Sequence, residues 1–209
     1  MSVEVVTAPG VLAEPPGFTR PSILPWTPAP TLPQSTVPAA PDPGPSVPPG
    51  AGPGGGASSR RFSSSPHDYT LTGYQWKPCQ PITVSSDGPD VSAIVAELAS
   101  ITGLSLQLVN GPANIMVGWG PMPIAHAIGV TEGTAYGTFF AHVTITLAPR
   151  GASSLPSLLR HELGHALGLG HTDQPNEIMY PVLRSDSPND YQAGDRAGLQ
   201  FIGTSATSC

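Results

Sequence analysis

The stretch HELGHALGLGH, residues 161–171, places three histidines at a spacing that few structural roles explain. Four residues apart on a helix, His161 and His165 project from one face about 6 Å apart along the axis, so both imidazoles can reach one ion at about 2.0–2.1 Å. His171 could not join them on a continuing helix, because six residues would carry it ~9 Å further along. Gly168 can adopt a positive φ and turn the chain back. The stretch therefore predicts a helix, a turn and three histidine ligands around one zinc ion.

Glu162 lies beside the first of these ligands and is the candidate general base. Three neutral histidines leave zinc a fourth position open for water, as in catalytic sites, whereas a structural site is closed by a fourth protein ligand. Zinc lowers the pKa of its bound water to about 7, and Glu162 can take the proton and pass it to a leaving amine. A helix with core histidines would explain His161 and His165 but not Glu162, nor Gly168 ahead of His171. The pattern predicts hydrolysis by a zinc-bound water.

The first 66 residues differ in composition from the rest of the chain. They hold 16 of the 27 prolines and 8 of the 24 glycines, about a third of their positions, which is typical of an aperiodic disordered stretch. We expect a disordered Pro/Gly-rich tail or linker over residues 1–66 and one domain over 67–209, a size that can bury a core. The apolar residues Phe18, Ile23, Leu24 and Trp26 leave two alternatives open, scattered linker residues or a docking or pro-segment.

Charge and hydropathy exclude several classes of function. The net charge is −6, and the first 66 residues contribute three acids and three arginines, so no basic nucleic-acid footprint is present. No window approaches the ~18 apolar residues of a membrane span. The first residues lack a basic n-region and reach Pro9 before an apolar region could form, so no signal peptide is visible.

Periodicity predicts the elements of the folded part. Apolar residues at helical spacing predict a helix over 91–101, with Asp90 as N-cap and Gly103 as its stop, and two further helices over about 153–167 and 191–202. Strands are expected at 74–76, 82–84, 104–109, 114–119, 123–128 and 138–147, with residues 129–137 as a glycine-bounded connection. This order favours a mixed sheet carrying helices.

Together with Met179 in Ile178-Met179-Tyr180-Pro181, eight residues after His171, the zinc stretch resembles the metzincin zinc endopeptidases and most closely their matrixin branch. The resemblance extends to residues 113–117 and 194–200. It implies an α+β (α/β-like) fold, with a twisted five-stranded mixed sheet and three helices. It also implies that Met179 forms an apolar floor beneath the ligands.

By the same resemblance, residues 123–128 are the edge strand that pairs with an extended substrate, so Ile124 and Ala125 are candidate substrate-binding residues. Tyr180 and Pro181 would line an apolar pocket for the residue after the scissile bond. Asp195 would bind the backbone around Met179.

Three features depart from the family's pattern. The upstream ligands of its usual second zinc are missing, so we interpret His126 and His142 as strand histidines and expect one catalytic zinc; calcium is possible, but no motif supports it. Only one acid, Asp195, stands where the family's last helix often has two. Cys79, in Lys77-Pro78-Cys79-Gln80-Pro81, resembles the family's latency cysteine only superficially, because it lies in the expected first strand.

Cys79 and Cys209 are the two cysteines of the chain. Three roles for Cys79 remain open at this point: a thiolate that blocks zinc, a buried free thiol, or half of a disulfide with Cys209, which we favour if the protein matures in an oxidising compartment.

The sequence thus predicts a zinc-dependent endopeptidase with Glu162 as general base. Its partners would be protein or peptide substrates, without nucleic acid or a membrane span, and it would act as a monomer. The resemblance implies an extracellular or cell-surface location. The alternative is a catalytically silent zinc-stabilised binding or structural module tethered by the Pro-rich arm; retention of Glu162 argues against it, because zinc binding alone does not need that carboxylate.

Overall fold

The computed structural model describes residues 4–7, 11–13, 64–150 and 155–207. In chain order the strands are β1 (Glu4–Thr7), β2 (Val11–Ala13), β3 (Thr70–Leu71), β4 (Ile82–Ser86), β5 (Leu106–Leu108), β6 (Ile115–Trp119), β7 (Ala127–Tyr136), β8 (Phe139–Leu147), β9 (Leu169–Gly170) and β10 (Val182–Leu183). The helices are α1 (Ser92–Thr102), α2 (Leu155–Leu167) and α3 (Ala193–Thr207). Among these residues, no helix is both long and apolar enough to cross a membrane.

Five strands form the body of the main sheet in the order β5-β4-β6-β8-β7. The first four are parallel neighbours and β7 runs antiparallel to β8. Three short strands extend this sheet beyond β7, and β3 pairs with β9 in a separate ribbon. The five-stranded mixed sheet with three helices confirms the predicted α+β fold.

The helices begin within two residues of the predicted positions, and α1 and α2 end within one residue of them, whereas α3 extends five residues further, to Thr207. The N-cap of α1 also differs from the prediction. Asp90 does not occupy the N-cap position, which falls on Val91, but its Oδ1 still accepts the Ser92 N–H at 2.9 Å. Gly103 ends the helix in the left-handed conformation, and its N–H donates to Ala99. Glycine has no Cβ and so adopts the left-handed conformation without a steric clash, which explains why it ends the helix.

The strand prediction was wrong in two places: residues 74–76 form only an isolated bridge at Gln75, and the long strand β7 was missed. Residues 129–137 are not a connection: β7 runs to Tyr136 and turns into β8 through Gly137, whose φ is 62°. The predicted strand over 123–128 is mostly a turn, in which His126 has a φ of 67°, so the interpretation of His126 as a strand histidine was also wrong. His142 does lie on β8, where its Nδ1 contacts the Ala113 carbonyl.

Two short segments of the predicted Pro/Gly-rich tail, β1 and β2, pair with β7, and the disorder of the tail stays a prediction. Valine-rich stretches favour strands, and an edge strand offers unpaired N–H and C=O groups. Ser64 also contacts the folded part, and the 66/67 domain boundary stays a prediction. The apolar patch from Phe18 to Trp26 lies outside the described residues.

The core lies between the sheet and α2. The helix buries Leu158, Leu159, Leu163 and Leu167 against sheet residues such as Ile145. Close packing of this kind fixes the position and orientation of the helix, and therefore also fixes the backbone from which the side chains of its remaining face project. The α2 helix is the one that carries the first two predicted ligands.

Candidate metal centre

The three predicted ligand histidines converge on one point. The Nε2 atom of His161 lies 3.0 Å from those of both His165 and His171, and the latter two are 3.1 Å apart. His161 and His165 are buried on α2, and His171 is half-buried in the following loop. Helix α2 and the turn that follows it thus bring together the side chains of residues up to ten positions apart in the sequence.

The hydrogen bonds of the opposite ring nitrogens assign the tautomers. Nδ1 of His161 lies 2.7 Å from the carbonyl oxygen of Ile178, and Nδ1 of His165 lies 2.8 Å from that of Leu169. A carbonyl only accepts, so each Nδ1 carries the proton and each Nε2 presents a lone pair. Lone pairs at about 3 Å repel one another unless a cation binds them together.

The donor set fits zinc. Imidazole nitrogen is a preferred zinc ligand, and a triangle of this size can be held by one ion at about 2.0–2.1 Å from each nitrogen. Burial lowers the pKa of all three rings, that of His165 to about 4, and proximity of the other rings lowers those of His161 and His171 further. The rings are therefore neutral near pH 7, as metal ligation requires.

Gly168 makes the turn that returns His171 to the helix. Its φ is 118°, and a Cβ built on it would lie 2.5 Å from the carbonyl oxygen of Tyr74. Two reasons therefore require glycine, the backbone conformation and the close approach of a second segment.

The ribbon of β3 and β9 then fixes the loop that carries His171. Thr70 pairs with Gly170, and its hydroxyl donates to the His171 carbonyl at 2.6 Å. Thr72 donates to Gly168 through both its N–H and its hydroxyl. Sequence reasoning missed both threonines, since no local pattern links residues about 100 positions apart.

Met179 lies directly beneath the ligand helix. It is 1% exposed, and a Cβ on Gly164 would approach its sulfur to 2.6 Å. The second glycine of the zinc stretch therefore makes room for the methionine. Asp195 accepts the N–H groups of Ile178 and Met179 at 2.8 and 3.1 Å, as the resemblance implied.

A second buried acid lies beside Asp195. Glu177 accepts the Asp195 N–H at 2.9 Å through Oε2 and the Ser64 hydroxyl through Oε1. Burial raises the pKa of Asp195 to about 7; Glu177 also raises it, whereas hydrogen bonds from Gln192, Ile178 and Met179 lower it.

Glu162 is fully buried between α2 and β7. The Thr131 hydroxyl lies 2.5 Å from its Oε2. A Cβ on Gly129 would lie 2.4 Å from its Oε1 and 2.8 Å from Leu158, so the carboxylate lies almost against the β7 backbone. Sequence reasoning found Glu162 but missed Thr131 and Gly129, which lie 31 and 33 residues away.

The remaining predicted residues surround this centre less closely. Half-buried Ile124 and exposed Ala125 lie in the turn before β7, and half-buried Tyr180 and Pro181 lead into β10. Cys79 is disulfide-bonded, and its N–H donates to Ala206 on α3 at 3.0 Å. Cys209 lies outside the described residues, so its pairing with Cys79 stays a prediction.

Comparison with known proteins places this fold and site in a family. The family model described as Matrixin, a peptidase family, matches residues 96–202, which include all three ligand histidines and Met179. This chain belongs to the matrixin family.

Individual matrixins match shorter parts. Human matrix metalloproteinase-20 is 31% identical over 120 residues, covering 50% of this chain and 25% of its own length. Matrilysin of Rattus norvegicus is 48% identical over 44 residues, covering 20% and 16%, and metalloendoproteinase 1-MMP of Arabidopsis thaliana is 45% identical over 49 residues, covering 23% and 14%. The match spans a quarter or less of the length of each relative.

Proposed function

We propose that this matrixin is a zinc-dependent endopeptidase in which Glu162 is the general base. The observation that supports it most strongly is the convergence of three Nε2 atoms within 3.1 Å of one another, two of them on the helix that also holds a buried carboxylate. His161, His165 and His171 would hold the ion. When bound, zinc would activate a water and polarise the carbonyl of a peptide bond.

The role of Glu162 follows from its surroundings. The hydroxyl of Thr131 restrains one carboxylate oxygen, which limits the rotation of the side chain. The carboxylate would accept a proton from the attacking water and deliver it to the leaving amine. A zinc-stabilised binding module would need neither a buried acid nor the glycine of β7 that gives it space. Because the contacts of Thr131 and Gly129 accommodate Glu162 beside the ligands, the catalytically silent alternative is the weaker proposal.

The substrate would be a protein or peptide in extended conformation. One edge of β7 pairs with β8, and a peptide that took the place of β1 and β2 at its other edge would gain main-chain hydrogen bonds. We assign Ile124 and Ala125 to the start of this edge. We assign Tyr180 and Pro181 to the wall of the pocket for the substrate residue after the scissile bond, where an apolar side chain of the substrate would be favoured.

We infer an extracellular or cell-surface location from family membership. The disulfide at Cys79 supports it, because disulfides persist in oxidising compartments. A monomer is the expected oligomeric state, and light scattering after size-exclusion chromatography would measure it.

The test is hydrolysis of a quenched fluorescent peptide by the zinc-loaded full chain and by Glu162→Gln. Gln preserves the buried volume that Ala would empty, so zinc content and melting temperature should stay unchanged. The value of kcat/KM should fall by about 10²–10⁴, the usual contribution of a general base. Glu132→Gln is the matched control, because Glu132 is exposed on β7. Unchanged turnover in Glu162→Gln, or loss of zinc from it, would contradict the assignment.

A further inference from the structure

Arg150 lies at the start of β7, on the edge of the strand that faces away from β8. It comes three residues after the end of β8, and its Nη2 donates a hydrogen bond to the carbonyl oxygen of Ala127, the first residue of β7. The next carbonyl along β7, that of Ile128, accepts the N–H of Ala148 just beyond β8. Successive carbonyls of a strand point to opposite sides, so the Ala127 carbonyl and the guanidinium bound to it lie on the outer edge.

The guanidinium of Arg150 has donors to spare for an acid. The side chain is exposed, and of its five N–H donors the described contacts use one, on Ala127. Within the described residues, Arg160, Arg184 and Arg196 each form an ion pair with a carboxylate, and Arg150 forms none. Its bond to a main-chain carbonyl restrains the long side chain, so an arriving carboxylate has less side-chain freedom to remove.

Arg150 is also close to the candidate general base along the strand. Gly129, where a Cβ would lie 2.4 Å from Glu162 Oε1, is two residues after Ala127. A strand rises about 3.4 Å per residue, so the two positions are about 7 Å apart along β7. An extended peptide spans this distance with two residues. A peptide cleaved beside Glu162 would therefore bring to Arg150 a side chain two or three positions from the scissile bond.

The direction of the peptide decides which side of the scissile bond reaches Arg150. The outer edge of β7 accepts an antiparallel chain, because β2 pairs with it in that direction, with Val11 opposite Gly129 and Leu12 opposite Ala127. A peptide in the same direction passes Gly129 first and Ala127 later. Arg150 would then meet the residues that follow the scissile bond.

We propose that Arg150 is a specificity-determining residue that binds the carboxylate of a Glu or Asp side chain at the second or third position after the scissile bond. The proposal rests on the proposed function, since it concerns the choice of substrate at the same site. A guanidinium and a carboxylate match in shape and form two parallel N–H···O bonds, which an amide or an apolar side chain cannot reproduce. The favoured substrate is thus an extended peptide with an acidic residue on its C-terminal side.

The test compares pairs of quenched fluorescent peptides that differ only in Glu or Gln at one position, hydrolysed by the zinc-loaded full chain. The second and third positions after the scissile bond are varied, and the same positions before it serve as the peptide control. Every peptide has an amidated C-terminus, so that a terminal carboxylate cannot take the place of the side chain.

The protein variants are Arg150→Met, Arg150→Glu and the matched control Lys77→Met. Lys77 is exposed, and its loss changes the net charge by the same amount as that of Arg150→Met. It lines a cavity together with Tyr136, the last residue of β7, at the opposite end of the strand from Ala127. A general effect of protein charge on acidic peptides would therefore be equal in the two Met variants.

We expect kcat/KM of the unaltered chain to be about fivefold higher for Glu than for Gln at one of the two positions after the bond, as for a charge-assisted pair at an exposed site. Arg150→Met should remove this preference, and Arg150→Glu should replace it with a preference for Lys at that position. Lys77→Met should keep it. Loss of the bond to Ala127 would by itself slow both peptides of a pair equally, so their ratio separates recognition of the acid from support of β7.

An unchanged Glu-to-Gln ratio in Arg150→Met would overturn the proposal, and so would the absence of any preference after the bond in the unaltered chain. Fluorescence polarisation of labelled peptides bound to Glu162→Gln, with and without Arg150→Met, separates recognition from hydrolysis. If no protein cleaves any peptide, but the Glu peptide binds about fivefold more tightly than the Gln peptide only when Arg150 is present, recognition of the acid stands and the proposed endopeptidase function fails. Peptides that are neither cleaved nor bound would overturn both.

Discussion

The substitution Gly129→Ala tests whether the close approach of β7 positions Glu162. The added Cβ would lie 2.4 Å from Glu162 Oε1 and 2.8 Å from Leu158 Cδ1. A carbon and an oxygen without a bond normally stay about 3.3 Å apart, so the carboxylate must move by roughly 0.9 Å. A misplacement of about 1 Å in a catalytic group can cost about 10²-fold in rate.

The same strand supplies a matched control in Gly133→Ala. There the nearest atom is Phe140 Cε1 at 3.3 Å, which a small shift of the ring accommodates. We expect Gly129→Ala to lower kcat/KM by about 10²-fold and the free energy of unfolding by about 1–3 kcal/mol, the usual cost of overpacking. Gly133→Ala should change kcat/KM by less than about threefold.

The measurements are kcat/KM on a quenched peptide, zinc per chain by mass spectrometry, and denaturant unfolding. Zinc content should stay at one per chain in both variants, because neither glycine contacts a ligand histidine. If Gly129→Ala stays folded and retains kcat/KM within about twofold of the unaltered chain, the carboxylate does not depend on this contact and the reasoning is refuted.

Further substitutions probe the other parts of the site. His171→Ala should lower zinc affinity and activity together, and full metal affinity in a titration would remove His171 from the ligand set. Thr131→Val removes the hydroxyl bound to Glu162 and should cost about 10–100-fold in kcat with KM nearly unchanged, since a hydrogen bond to a charged group contributes about 1.5–3 kcal/mol; a change confined to KM would argue against it. Because burial raises the pKa of Asp195 to about 7, the folded state holds this proton more tightly than the unfolded state. The stabilisation that Asp195 contributes is therefore at its full value below pH ~4 and is lost as the pH rises through 7, by up to about 1.4 kcal/mol per pH unit. The unfolding free energy of the unaltered chain minus that of Asp195→Asn should decrease over this range. A difference that does not change with pH would refute this prediction. If Cys79 and Cys209 are paired, the unfolded, unreduced protein from its native source should take up no alkylating reagent, and two alkylated thiols would eliminate the bridge.

The ligand set could be predicted because its geometry is encoded within 11 residues. Helical periodicity sets the separation of His161 and His165, and Gly168 signals the turn that returns His171. Such local rules need no knowledge of distant contacts. The same is true of α1, whose apolar spacing and terminal Gly103 predict its extent within a residue or two.

Strand β7 could not be predicted because glycine has two opposite meanings in a sequence. Gly129 and Gly133 suggest a connection, yet here they permit close contacts with Glu162 and Phe140. Which meaning applies depends on α2 and β8, which lie later in the chain. The N-terminal strands were missed for a different reason, since the prolines of residues 14–66 dominate the average composition and conceal a short valine-containing stretch before them.

The contacts of β7 with distant residues connect the position of Glu162 with the edge at which an extended chain binds. One edge of β7 pairs with β8, which fixes the strand in the sheet. Its residues Gly129 and Thr131 meet Glu162, which fixes the acid relative to the strand. Its other edge pairs with an extended chain, at present the N-terminal strands. A substrate that replaced those strands would therefore be aligned by the same backbone that positions the acid, so the peptide bond and the proton acceptor would share one rigid reference.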